Sequence, residues 1–125
     1  MAKKSNNYLD LLNFQQRQAV ENINGSSLIL AGAGSGKTRV LTFRLLHLLI
    51  QQLATPGQIL AVTFTNKAAN EMKNRVSEML NFPIEKMWLG TFHSLSLKIL
   101  RLTFKFCGSI PSEEIIHGPI EKDLL

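Results

Sequence analysis

Aspartate is scarce in this chain: two of 125 residues, Asp10 and Asp123, and neither follows an apolar run. Cysteine occurs once, at Cys107, which excludes an intramolecular disulfide and makes a reduced, half-buried thiol the expected state. Long apolar runs are missing too. The longest, Val40 to Ile50, is interrupted by Arg44 and His47 and is too short to span a bilayer. Lys3 and Lys4 are followed by Ser-Asn-Asn, not by the apolar core of a secretory signal. Internal repeats and low-complexity tracts are absent, which excludes a fibrous or solenoid design. These gaps together lead us to expect a soluble, intracellular chain without a membrane partner.

What is present describes a small globular domain, or a piece of a larger one. Hydrophobic residues make up 45% and charged residues 18%, with mean hydropathy near zero, enough apolar content for a core. Fourteen Lys and Arg against nine Asp and Glu give a net charge of +5. That balance suits a polyanionic partner but does not by itself select one.

Short apolar runs alternate with amphipathic stretches, which reads as βαβα and a parallel sheet. A first helix is expected over Phe14 to Ile23, with Gln16, Ala19, Val20 and Ile23 on one face. Ser27 to Ala31 (SLILA) reads as a buried strand. A second helix should run from Lys37 to about Gln52, apolar at Leu41, Leu45, Leu48 and Leu49. Ile59 to Thr65 reads as the next strand. A third helix, capped by Thr65 or Asn66, places Ala69, Met72, Val76 and Leu80 on one stripe. Met87 to Thr91 is a third short strand. A last helix aligns Phe92, Leu95, Ile99, Leu102 and Phe106, and the pattern then fades into a tail expected as loop.

The strongest chemical signal is Ala31-Gly32-Ala33-Gly34-Ser35-Gly36-Lys37-Thr38, which matches the phosphate-binding loop G-x-x-x-x-G-K-[ST] except for Ala31 at the first glycine. Each part has a physical task. Glycines let successive backbone N–H groups converge on phosphate oxygens, and the next helix aims its positive end at the same anion. Lys37 supplies a cation for the β- and γ-phosphates, and the Thr38 hydroxyl is a Mg²⁺ ligand. Binding of a purine triphosphate with Mg²⁺ is the expected chemistry. Hydrolysis is another matter, because no acidic residue closes an apolar strand to hold the metal and orient water. Glu113-Glu114 precedes Ile115-Ile116 rather than following it.

Four segments together resemble the UvrD/Rep/PcrA family of superfamily 1 DNA helicases. Leu12 to Arg17 (LNFQQR) looks like its adenine-reading Q motif, and Ala31 to Arg44 (AGAGSGKTRVLTFR) resembles motif I, where alanine at the first position is usual. Ala61 to Val76 (AVTFTNKAANEMKNRV) resembles motif Ia, and Gly90 to Arg101 (GTFHSLSLKILR) resembles motif Ib. The resemblance covers about residues 9 to 106. It implies a truncated RecA-like α/β domain with helices on both faces of a parallel sheet. Residues 1–106 would be the N-terminal part of motor domain 1A, and 107–125 a divergent tail or the start of subdomain 1B.

By resemblance, Gln16 would read the adenine edge and Arg39 would lay its guanidinium on the adenine ring. Thr63, Phe64, Thr65 and Asn66 would touch single-stranded DNA, Phe64 by stacking. Thr91 and His93 would meet the DNA backbone, with Lys67, Lys73 and Arg75 adding attraction. The family implies ATP-dependent 3′-to-5′ translocation and unwinding in repair or replication restart, in a bacterial-type cytoplasm. The family's paired Asp-Glu motif and its arginine sensors are not among these residues. A non-catalytic ATP-binding or interaction fragment is therefore the alternative, and another phosphate-loop enzyme such as a small kinase fits TFTNKAA and GTFHS poorly. Without the rest of the sheet, self-association or a complementing segment is expected.

Overall fold

The computed structural model describes residues 8–34 and 36–107. Residues 1–7, Ser35, the side chains of Phe106 and Cys107 and the tail from Gly108 lie outside the described residues, and so do the expectations placed on them, Phe106 in the α4 stripe included. In chain order the elements are α1 (Phe14–Glu21), α2 (Lys37–Ile50), β1 (Leu60–Thr63), α3 (Asn66–Met79), β2 (Trp88–Thr91) and α4 (Phe92–Cys107), with short 3₁₀ turns at Leu9–Leu11 and Pro56–Gln58.

β1 and β2 pair in parallel, Leu60 opposite Trp88 through Thr63 opposite Thr91. Successive strand residues alternate between faces. Ala61 turns into the core cluster with Met72 and Val76 of α3 and Leu45 and Leu49 of α2. The opposite face receives α4: Lys98 Nζ lies 4.4 Å from the centre of the Trp88 ring, and a side chain at Gly90 would meet Ser94 and Leu95. Helices therefore cover both faces of a small parallel sheet, an α/β arrangement.

The α3 stripe is as expected, with Ala69, Met72, Val76 and Leu80 all buried. On α2, Leu45 and Leu49 are buried, but Leu41 is exposed and its place inside is taken by Val40, Thr42, Phe43 and Leu46. Thr42 is accommodated in the core because its hydroxyl donates to the Thr38 carbonyl at 2.8 Å, which satisfies it within the helix. Tyr8 reaches back onto α2, its ring 6.5 Å from that of Phe43. Arg44 Nη1 donates to the Ala19 carbonyl at 2.7 Å, satisfying an open carbonyl near the end of α1.

One expected strand does not form. Residues 27–31 have no strand structure, and Leu28 and Leu30 are each 85% exposed. A strand exists through hydrogen bonds to a neighbour, and the only strand pair among the described residues is β1 with β2. The apolar run SLILA therefore has no ladder to join among the described residues. The α4 stripe is likewise only partly used: Leu95 is buried, while Phe92, Ile99 and Leu102 are exposed.

Candidate nucleotide and DNA sites

The glycine-rich turn enters α2 through Gly34 and Gly36, whose φ angles of 73° and 81° are both left-handed. Gly36 is the N-cap of α2 and offers no side chain to its first turn. The other three α-helices are capped by side chains. Asn13 accepts from the Gln16 backbone N–H at 2.8 Å, Thr65 from that of Ala68 at 3.1 Å, and Thr91 from that of Ser94 at 3.2 Å. The first N–H groups of a helix have no partner within it. At α2 no side chain of the N-cap residue covers them, and they carry the helix's positive end. Lys37 and Thr38 are exposed in this same turn. Gly32, Ala33 and Gly34 are also exposed, as is Ala31 just before them.

Two further residues gather beside this turn. The Gln16 Oε1 accepts from the Asn13 backbone N–H at 3.1 Å, completing a capping box. Its amide nitrogen lies against the loop, 2.7 Å from where a Cβ at Gly36 would stand. Arg39, one turn into α2, donates from Nη2 to the Leu11 carbonyl at 2.7 Å. Its guanidinium lies over the Phe43 ring, 5.4 Å from the centroid. The ring beneath Arg39 in this structure is thus Phe43, and its Nε is buried without a partner. Gln16, Gly36 and Arg39 converge although they come from two helices and the turn before one of them.

At the C-terminal ends of β1 and β2, the expected DNA residues separate into two groups. Phe64 is 93% exposed, so it is no core residue. Thr65 and Asn66, the next two residues, are exposed, and so is His93 in the first turn of α4. Thr63 and Thr91 are buried. Thr63 donates to the Thr65 carbonyl at 3.0 Å, and Thr91 shares a capping box with Ser94. Their hydroxyls fix the two strand-to-helix turns from which the exposed residues project. Ser94, which the sequence motifs did not single out, is what holds the β2–α4 turn; a hydroxyl three residues after Thr91 is the signal that could have shown it.

Helices around a small parallel sheet, with this glycine-rich turn opening α2, place the chain in the α/β class to which helicase N-terminal domains belong. The chain belongs to the UvrD/REP helicase N-terminal domain family, which it matches over residues 12–118. It is 52% identical over 119 residues to a probable DNA helicase II homolog of Mycoplasma capricolum, a match that covers 95% of this chain and 16% of that protein. It is 50% identical over 96 residues to the ATP-dependent DNA helicase PcrA of Staphylococcus aureus, covering 77% of this chain and 13% of the relative. PcrA of Bacillus subtilis is also 50% identical, over 97 residues, 78% of this chain and 13% of the relative. The chain thus spans about a sixth or less of the length of the curated relatives it matches. The family match runs past residue 106, where the motif resemblance stops.

Proposed function

We propose that this chain is the ATP-binding N-terminal portion of a RecA-like, 3′-to-5′ DNA helicase motor, carrying the nucleotide loop and the first contacts to single-stranded DNA. The observation that carries the reading is the start of α2, where no N-cap side chain covers the first turn and Lys37 and Thr38 follow a left-handed glycine. Those donors fit a triphosphate: convergent N–H groups and an ammonium are the chemistry that polyphosphate oxygens need. Residues 31–38 would hold the phosphates, Thr38 would ligate the Mg²⁺ that travels with ATP, and Gln16 and Arg39 would border the base. Bound Mg·ATP would supply the phosphoanhydride whose cleavage drives such motors. This chain's own residues bind and orient it.

Gln16 ties the base end to the phosphate end, because its amide rests on Gly36 while its oxygen fixes the start of α1. Phe64, projecting fully from the turn after β1, offers a face for a DNA base. Among the described residues no three His, Cys, Asp or Glu side chains gather as a metal site, so Thr38 is the protein ligand assigned here. ATP binding without turnover is the second reading, favoured by the sequence, in which neither aspartate follows an apolar strand-like run.

The test is calorimetric titration with Mg·ATP. Lys37→Ala is expected to weaken binding by about 1.5–3 kcal/mol, the worth of a hydrogen bond from a charged group. Equal affinity in the two proteins would overturn the assignment. A DNA-stimulated turnover on the order of 1 per second or faster would overturn the second reading alone.

A further inference from the structure

A groove runs along α4, whose cations are given no role by the motif resemblance above. It is lined by Asn66, the first residue of α3, and by Ser94, Lys98, Arg101, Leu102 and Lys105 of α4. Lys98, Arg101 and Lys105 fall at i, i+3 and i+7 and so share one face of the helix. From Lys98 to Lys105 the helix rises about 10 Å, which is room for more than one phosphate. α4 contains no Asp or Glu. The ion pair formed among the described residues is Arg17 with Glu21 on α1, so Arg101 and Lys105 pair with no carboxylate among the described residues. Lys98 is held at its inner end, its ammonium over the ring of Trp88. The groove opens beside Asn66, two residues after the exposed Phe64.

The geometry points to this groove as a continuation of the DNA path: the phosphodiester backbone of a single strand stacked at Phe64 runs along α4 and is neutralised by Lys98, Arg101 and Lys105. The inference rests on the DNA-binding reading given above and extends it to Lys98 and Arg101, which the resemblance left without a role, and past the end of motif Ib to Lys105. Positive charge without acidic partners in a concave track is what a polyphosphate backbone selects, independent of base sequence. A base stacks at one end, and charge holds the strand along the other.

Trp88 supplies an internal reporter, being the sole tryptophan of the chain. The full 125-residue chain is titrated with end-labelled oligo(dT), following anisotropy of the label and emission of Trp88 over a range of salt concentrations. In the wild type, binding weakens as salt rises and Trp88 emission changes on saturation. Arg101→Gln and Lys105→Gln each lower the log–log salt slope by about 0.7, the value for one phosphate contact on a single strand. The double variant also loses most of the Trp88 response. Arg101→Lys keeps the charge and keeps the slope; if it lost as much as Arg101→Gln, the effect would be one of packing and the groove would be overturned. Phe64→Ala weakens binding but leaves the slope and the saturated Trp88 response intact. Unchanged slope and emission in the glutamine variants, with Phe64→Ala still weakening binding, would overturn the groove and leave the DNA reading standing. No binding by the wild type at low salt would overturn both.

Discussion

Gly36 shows how a single hydrogen in place of a methyl group joins two parts of the proposed nucleotide site. Its φ of 81° is a conformation that costs an L-residue about 1–2 kcal/mol. A Cβ there would also stand 2.7 Å from the Gln16 amide nitrogen. The two costs differ in kind: the amide is the end of a flexible side chain and can move, whereas φ cannot. We expect Gly36→Ala to destabilise the chain by about 1–2 kcal/mol, chiefly through φ, and to displace Gln16 from the loop. Urea denaturation of Gly36→Ala alone and in a Gln16→Ala background checks this; most of the loss should persist without Gln16. Loss confined to the Gln16 background would mean that the collision dominates. Motif spacing made the loop legible in the sequence because phosphate chemistry needs those residues in that order. The place of Arg39 was not legible: its anchor to Leu11 and its seat on Phe43 depend on how the segment before α1 folds back on α2, which no local pattern encodes.

At the scale of elements, the helices were legible and one strand was not, for a physical reason. A helix closes its hydrogen bonds within itself, so the Ala69, Met72, Val76 and Leu80 stripe suffices to place α3 against the core. A strand depends on a neighbour elsewhere in the chain, and SLILA has none among the described residues. Helix α2 holds a testable feature at its C-terminal end. Tyr8 Oη lies 2.8 Å from His47 Nδ1; in the neutral tautomer protonated at Nε2 the hydroxyl donates to Nδ1, a role that protonation of the ring removes. Burial pushes the His47 pKa below its ordinary value of 6.5, and Arg44 pushes the same way against an opposing pull from Glu21. The sign follows from linkage. The unfolded chain takes up the proton first as pH falls below about 6.5, so this contribution to stability is complete above that value. It is lost as pH falls from there through the folded pKa. The urea midpoint should therefore drop between pH 7.5 and 5.5, and less so in His47→Gln. Equal drops in the two proteins would remove His47 from the account.

Over the whole molecule, the balance of buried and exposed apolar surface sets the behaviour of the isolated chain. Two short parallel strands are little sheet on which to build a stable domain, because parallel sheets ordinarily have more strands and both faces covered. Here the core cluster gathers on the α2–α3 side, while Leu28, Leu30, Phe64 and Phe92 stand in solvent. Phe64 has a proposed ligand; Leu28 and Leu30 have none. They belong to an apolar run whose backbone joins no described strand, and such runs pair with copies of themselves. The chain by itself is therefore expected to self-associate and to fall below the stability of about 5 kcal/mol usual for a domain. Since both leucines are exposed, Leu28→Ser with Leu30→Ser removes sticky surface without opening a cavity. Sedimentation velocity should show this variant shifted toward monomer, with its urea midpoint little changed. An unshifted distribution would move the source of association to the α4 stripe of Phe92, Ile99 and Leu102. A fall of several kcal/mol in stability would show instead that SLILA is packed in solution, as a buried strand would be.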